Sequence, residues 1–168
     1  MNKKFYSFII GSIMSIILAV PTLGNEIYFT APNALELGDS DSANIFIVKQ
    51  PRGEIISTAI LQITNPGKGE IGVYIHTIAH VDVDETAFAV YLERWIPSRE
   101  EWANVAYFTF TFNKDDYPDD DLGNKMLSFN IVGQPDDCYY RLKGSHMVTL
   151  NGYSEVLSTQ TDGILITK

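Results

Sequence analysis

Three groups of residues in this 168-residue chain have the types that chemistry needs. The first is histidine. His76 and His80 stand four apart, the spacing of a chelating pair on a helix. On a strand that spacing separates them by roughly 13 Å at ~3.3 Å per residue, too far to share an ion. The second is acid. Asp82-Val83-Asp84-Glu85 forms one run, and Asp119-Asp120-Asp121 forms another after Asp115-Asp116 and Tyr117-Pro118. Loop carboxylates are the hard oxygen donors that Ca²⁺ takes. Asp82, Asp84, Glu85, Asp119, Asp120 and Asp121 are therefore the candidate metal ligands. The spaced-aspartate loop with its glycine and distal glutamate is absent, so solvated acidic loops are the competing reading. Beyond Ca²⁺ no cofactor is expected.

The third group is nucleophilic. Cys138 is the one cysteine, and His146 follows eight residues later. On one strand the two share a face but stand about 26 Å apart, out of reach of proton transfer. Neither the serine-hydrolase elbow nor the zinc-protease helix motif occurs. A glycosidase-type carboxylate pair has no sequence signature of its own, though so short a chain leaves little room for its cleft. No catalytic residue is expected. A small secreted hydrolase is the least favoured reading.

The elements that must position these residues have a period of two. Apolar residues alternate with polar ones over 55–64, 71–79, 86–96, 102–112, 126–132, 138–150, 153–159 and 164–167. Turn residues follow each run, most plainly Asn65-Pro66-Gly67-Lys68-Gly69 and Thr161-Asp162-Gly163. Helical spacing is not sustained after the first two dozen residues. Seven or eight strands at this cadence predict an all-β, antiparallel β-sandwich of immunoglobulin or fibronectin type III character over 52–168. Residues 25–51 are mixed: 35–42 are polar and loop-like, while 45–48 can add an edge strand.

The 86–112 hairpin permits a register. Phe88, Val90 and Leu92 share one face of the first strand, and Ala106, Phe108 and Phe110 one face of the second. Pairing 88 with 110, 90 with 108 and 92 with 106 places all six together and leaves a five-residue loop, Pro97 to Glu101. The alternate residues then face outward, with Tyr91 opposite Tyr107 and Trp95 farther along. Aromatics on a water-facing sheet need a reason. Cross-strand stabilisation is one. Recognition is the other, because Tyr and Trp are favoured interface anchors. Tyr91, Trp95 and Tyr107 are the candidate ligand-binding residues. Tyr140, entering a strand after Gln134-Pro135-Asp136-Asp137, is the candidate tyrosine of a Greek-key corner.

At the other end, Lys3 and Lys4 precede a nearly unbroken apolar run, 5–20, and small residues stand at Thr22 and Gly24. This order predicts a signal peptide over 1–24 with cleavage before Asn25, and hence a secreted protein. Sixteen residues are also short of the about 20 that a membrane span needs. No stable membrane anchor is expected after cleavage. The net charge is −9, and loss of Lys3 and Lys4 makes the remainder more acidic still. Nucleic acid is excluded as a partner by repulsion from phosphate. A single cysteine allows no internal disulfide.

One set of motifs resembles a known group. Arg52-Gly53-Glu54, Asn65-Pro66-Gly67-Lys68-Gly69-Glu70-Ile71 and Val90-Tyr91-Leu92-Glu93-Arg94-Trp95 with Trp102 make up its first half. Tyr139-Tyr140-Arg141-Leu142-Lys143-Gly144-Ser145-His146 and Ser158-Thr159-Gln160-Thr161-Asp162-Gly163-Ile164 make up the second. Over about residues 52–166 the chain is similar to an uncharacterised family of small secreted proteins of Gram-positive, Clostridia-type bacteria. The resemblance implies an exported β-rich domain of unknown function and carries over no site residue. The expectation is a non-catalytic extracellular module that binds a protein or a glycan. A structural or protective surface protein without a specific ligand is the alternative.

Overall fold

The computed structural model describes residues 54–168 and, before them, the backbone of Leu37–Gly38 and Ile45–Phe46. The signal peptide expected over 1–24 lies outside the described residues. Among the described residues there are ten strands: β1 (Leu37–Gly38), β2 (Ile45–Phe46), β3 (Ile56–Thr64), β4 (Ile71–Ala79), β5 (Glu85–Ile96), β6 (Glu101–Asn113), β7 (Asn124–Ile131), β8 (Cys138–Leu150), β9 (Tyr153–Thr161) and β10 (Gly163–Ile166). They form an all-β sandwich of two sheets. The smaller is ordered β3–β4–β7. The larger is ordered β1–β10–β8–β5–β6, with β9 continuing the β10 side of β8 and β2 pairing β9. All pairings are antiparallel except β1 with β10. In immunoglobulin-type lettering, β3, β4 and β7 stand as A, B and E opposite β9, β8, β5 and β6 as G, F, C and C′, the fibronectin type III-like arrangement expected. The segment 35–42, expected as loop, contributes Leu37–Gly38 to the edge of β10.

The alternation explains the core. Ile71, Val73 and Ile75 of β4 are buried against Phe88, Val90 and Leu92 of β5 and Tyr140 and Leu142 of β8. Each such apolar side chain contributes about 1.5–3 kcal/mol through removal from water. The sheets approach closely at Gly144 of β8. A Cβ there would lie 2.7 Å from Thr159 Oγ1 of the neighbouring strand and 3.1 Å from Leu61 Cδ2 of the opposite sheet, so any larger residue must displace them. A second cluster, Ile55, Ile56, Val83, Leu122 and Val148, closes the end of the sandwich beneath the acidic loops.

Three polar features fix the topology. Tyr140 is fully buried, and its hydroxyl donates to the Pro135 carbonyl at 2.6 Å, forming the expected corner between the sheets. Burial pushes its phenol pKa up, and the Arg94 guanidinium offsets part of that. Between β9 and β10 the register against β8 slips by one residue: Lys143 faces Gln160, whereas Tyr140 faces Ile164. At the slip the Leu142 amide donates to Thr161 Oγ1 at 2.9 Å, so a side chain stands in for the missing backbone acceptor.

The third feature is His146 of β8, which lies in the core. Its Nδ1 meets Thr77 Oγ1 of the opposite sheet at 2.8 Å, and its Nε2 meets Thr159 Oγ1 at 2.9 Å. A neutral imidazole has one donor and one acceptor nitrogen, and hydroxyls complement both. Burial lowers its pKa to about 3, with the charge of His76 a smaller cause.

Candidate functional site

The β5–β6 hairpin carries the register read from sequence over its first two thirds. Phe88 faces Phe110, Val90 faces Phe108, Tyr91 faces Tyr107 and Leu92 faces Ala106. Beyond Leu92 the structure departs from that reading. A bulge makes Glu93 face Asn104, so Val105 is the extra residue, and Trp95 then faces Trp102. The connection is accordingly four residues, Pro97 to Glu100, not five. The Arg99 amide donates to the Ile96 carbonyl at 3.1 Å across a turn with Pro97 at its second position, and Glu100 closes it at φ 52°.

The bulge has a consequence for the outward face. It brings a second tryptophan to the face that carries Tyr91, Tyr107 and Trp95. The Tyr91 and Tyr107 rings lie 4.7 Å apart at 34°, and the Trp95 and Trp102 rings 5.5 Å apart at 59°. Tyr107 is 54% exposed and the other three are half-buried. Burial raises the Tyr91 pKa first, and the charge and hydrogen bond of Tyr107 add to the rise.

Beside the aromatics, β8 contributes two cations, Arg141 facing Glu93 and Lys143 facing Tyr91. Arg141 Nε donates to Glu93 Oε2 at 2.6 Å, and Lys143 Nζ to Glu93 Oε1 at 2.9 Å. The Arg141 guanidinium also lies 4.5 Å from the centre of the Trp102 ring. Glu93 and Arg141 are buried although they sit on the outward face. A buried carboxylate between two cations costs about 3–5 kcal/mol to break from one side, so the cluster is rigid. Its rigidity orients Trp102 through the cation–π contact. Trp102, Glu93, Arg141 and Lys143 are the residues that sequence reasoning missed. The pairing of the two tryptophans was legible only with a four-residue loop in mind.

The metal-ligand candidates divide. Asp82 and Asp119 to Asp121 come together around a cleft of about 280 Å³, with Lys114 also on its wall. Asp84 lies elsewhere, accepting from the Asn151 amide at 2.6 Å. Glu85 is on β5, facing Asn113 and Thr149. Asp120 is ion-paired with Lys125. Among the described residues no group of three or more His, Cys, Asp or Glu is disposed to hold a metal ion. His76 is on β4, where its Nε2 donates to Asn124 Oδ1 at 2.7 Å and its Nδ1 lies 3.2 Å from the Tyr74 hydroxyl. Cys138 is free, half-buried and packed against the core. Compared with known proteins, the chain matches no family model and no curated protein.

Proposed function

We propose that this chain is an exported, non-catalytic β-sandwich that binds an extracellular protein or glycan through the outward face of the β5–β6 hairpin. The reading rests on one observation: two cross-strand aromatic pairs, Tyr91–Tyr107 and Trp95–Trp102, share that face beside the Glu93–Arg141–Lys143 ion cluster. Flat rings offer stacking surface at low entropic cost, and exposed Asn104 between Trp102 and Tyr107 offers hydrogen bonds. The signal-like order of residues 1–24 supports secretion. The motifs of 52–166 support a place among the small secreted proteins of Clostridia-type bacteria.

A glycan array and a pull-down from culture supernatant, both with residues 25–168, identify the partner. Tyr91→Ala combined with Tyr107→Ala then abolishes binding with little loss of stability. A double variant that binds normally and melts several degrees lower makes the pair structural and refutes the assignment.

A further inference from the structure

We infer that β6 is a docking edge for a second copy of this chain, and that two copies pair their β6 strands antiparallel about a two-fold axis at Thr109. This goes beyond the ligand face proposed above and does not depend on it.

In the larger sheet, the edge beyond β8 carries β1 and β2, whereas β6 pairs only with β5 among the described residues. A bare edge presents a row of unpaired N–H and C=O groups, which proteins ordinarily blunt with lysine, proline, short strands or bulges. Here β6 is 13 residues long. Residues 102–113 contain no charged residue and no proline, in a chain that is 20% charged with a net charge of −9. The one blunting device is the bulge at Val105, opposite Leu92 and Glu93, which leaves 106–113 in regular register. The two central residues of that stretch are Thr109 and Phe110, and Thr109 is the exposed one, on the outward face.

Pairing about Thr109 is self-complementary on both faces. On the outward face Thr109 stands against its own copy, and Tyr107 against Thr111. On the core face Phe108 stands against Phe110 of the second copy, and Phe110 against Phe108. Aromatic–aromatic and Thr–Thr opposites are the favourable cross-strand pairs.

An independent feature lies at the same edge. Phe108 and Phe110 meet Phe129 of β7 at 5.4 and 5.2 Å, yet all three are only half-buried. The opposite seam of the sandwich is filled by β3 packing beside β9. The aromatic seam next to β6 is therefore the open side, and a paired strand covers it.

The self-complementary register selects a second copy as the occupant, and the uncharged edge permits it. Copies of so acidic a chain repel one another, and the uncharged 102–113 edge is where that repulsion is least. Because β1 and β2 cover part of the far edge, pairing through β6 closes at two copies, an isologous contact, instead of propagating.

Sedimentation equilibrium of residues 25–168, from micromolar to millimolar, tests the inference, with a concentration-dependent monomer–dimer equilibrium expected. Thr109 is exposed, so Thr109→Lys and Thr109→Glu leave the fold and the melting temperature of dilute protein unchanged. Each places like charges face to face across the axis and weakens the dimer by about tenfold or more. An equimolar mixture of the two variants recovers dimerisation. A wild-type chain that stays monomeric to millimolar concentration overturns the inference. So does a dimer unaffected by either substitution, or a mixture that fails to recover.

Discussion

The buried imidazole of His146 makes stability depend on pH in a calculable way. Folded, its pKa is about 3. Unfolded, it returns to the ordinary value near 6.5. Between these values the unfolded chain binds a proton at this position that the folded chain does not. Stability therefore rises with pH through the window and is fully present above about pH 6.5. Each pH unit well inside it changes stability by about 1.4 kcal/mol. From pH 7 to pH 5 the loss is on the order of 2 kcal/mol, or a fall of roughly 6–10 °C in melting temperature for a domain this size. Carboxylates add their own slope at the acid end, so a difference measurement isolates the histidine. Urea unfolding followed by the fluorescence of Trp95 and Trp102, at half-unit steps from pH 5 to 8, supplies it. His146→Gln keeps an amide able to meet Thr77 and Thr159 but has nothing to titrate. The variant is less stable at pH 7 and loses the slope between pH 5 and 6.5. Equal slopes in the two proteins, or a His146 ring signal in the folded protein that titrates near 6.5, refute the reasoning.

Gly144→Ala drives a methyl into Thr159 Oγ1 and Leu61; denaturant melts show a loss of about 1–3 kcal/mol, the ordinary cost of overpacking. Tyr140→Phe removes the donor to the Pro135 carbonyl and costs about 1–2 kcal/mol by the same assay. Glu93→Gln removes the charge shared by Arg141 and Lys143. It lowers stability by roughly 3 kcal/mol and, by releasing Arg141 from Trp102, alters tryptophan fluorescence in the folded baseline. Cys138 is packed against the core, so a thiol reagent labels it slowly in native protein and rapidly in urea.

What was legible in the chain is what period two encodes. Ile71–Ala79 and Cys138–Leu150 end where the apolar alternation ends, and the hairpin register followed from placing six apolar residues on one face. Tyr140 was legible as a corner candidate from its parity with Cys138 and Leu142 after the Gln134-Pro135-Asp136-Asp137 turn, though an ordinary core tyrosine fitted the same pattern. The bulge was not. Val105 and Ala106 are both apolar, so either can face the core, and alternation does not say which is the extra residue. Four- and five-residue hairpin loops are both common, so loop length did not decide it either. The error stayed small in the core and large at the site, because a one-residue slip moves a side chain to the other face. Trp102 was lost to the outward face for that reason. The burial of His146 was hidden for another. Its hydroxyl partners Thr77 and Thr159 lie 69 and 13 residues away, and nothing local marks a threonine as a core hydrogen-bond partner.

The bulge also connects the proposed ligand face to the proposed dimer edge. It ends the regular part of β6 at Ala106 and turns Trp102 toward Trp95, so one extra residue both completes the aromatic face and places Thr109 near the middle of the regular edge. Antiparallel strands in one sheet are related by an axis normal to that sheet, which leaves the outward faces of both copies on the same side. Two aromatic faces would then be carried by one continuous sheet, with Tyr107 of each copy next to Thr111 of the other. A repetitive ligand, such as a polymeric glycan, meets such a pair with the effective concentration of an intramolecular second contact, and gains avidity without any new contact in either copy. A single-site protein partner gains nothing from it. The dependence of binding on Thr109 charge therefore separates the two ligand classes that the aromatic face alone leaves equal.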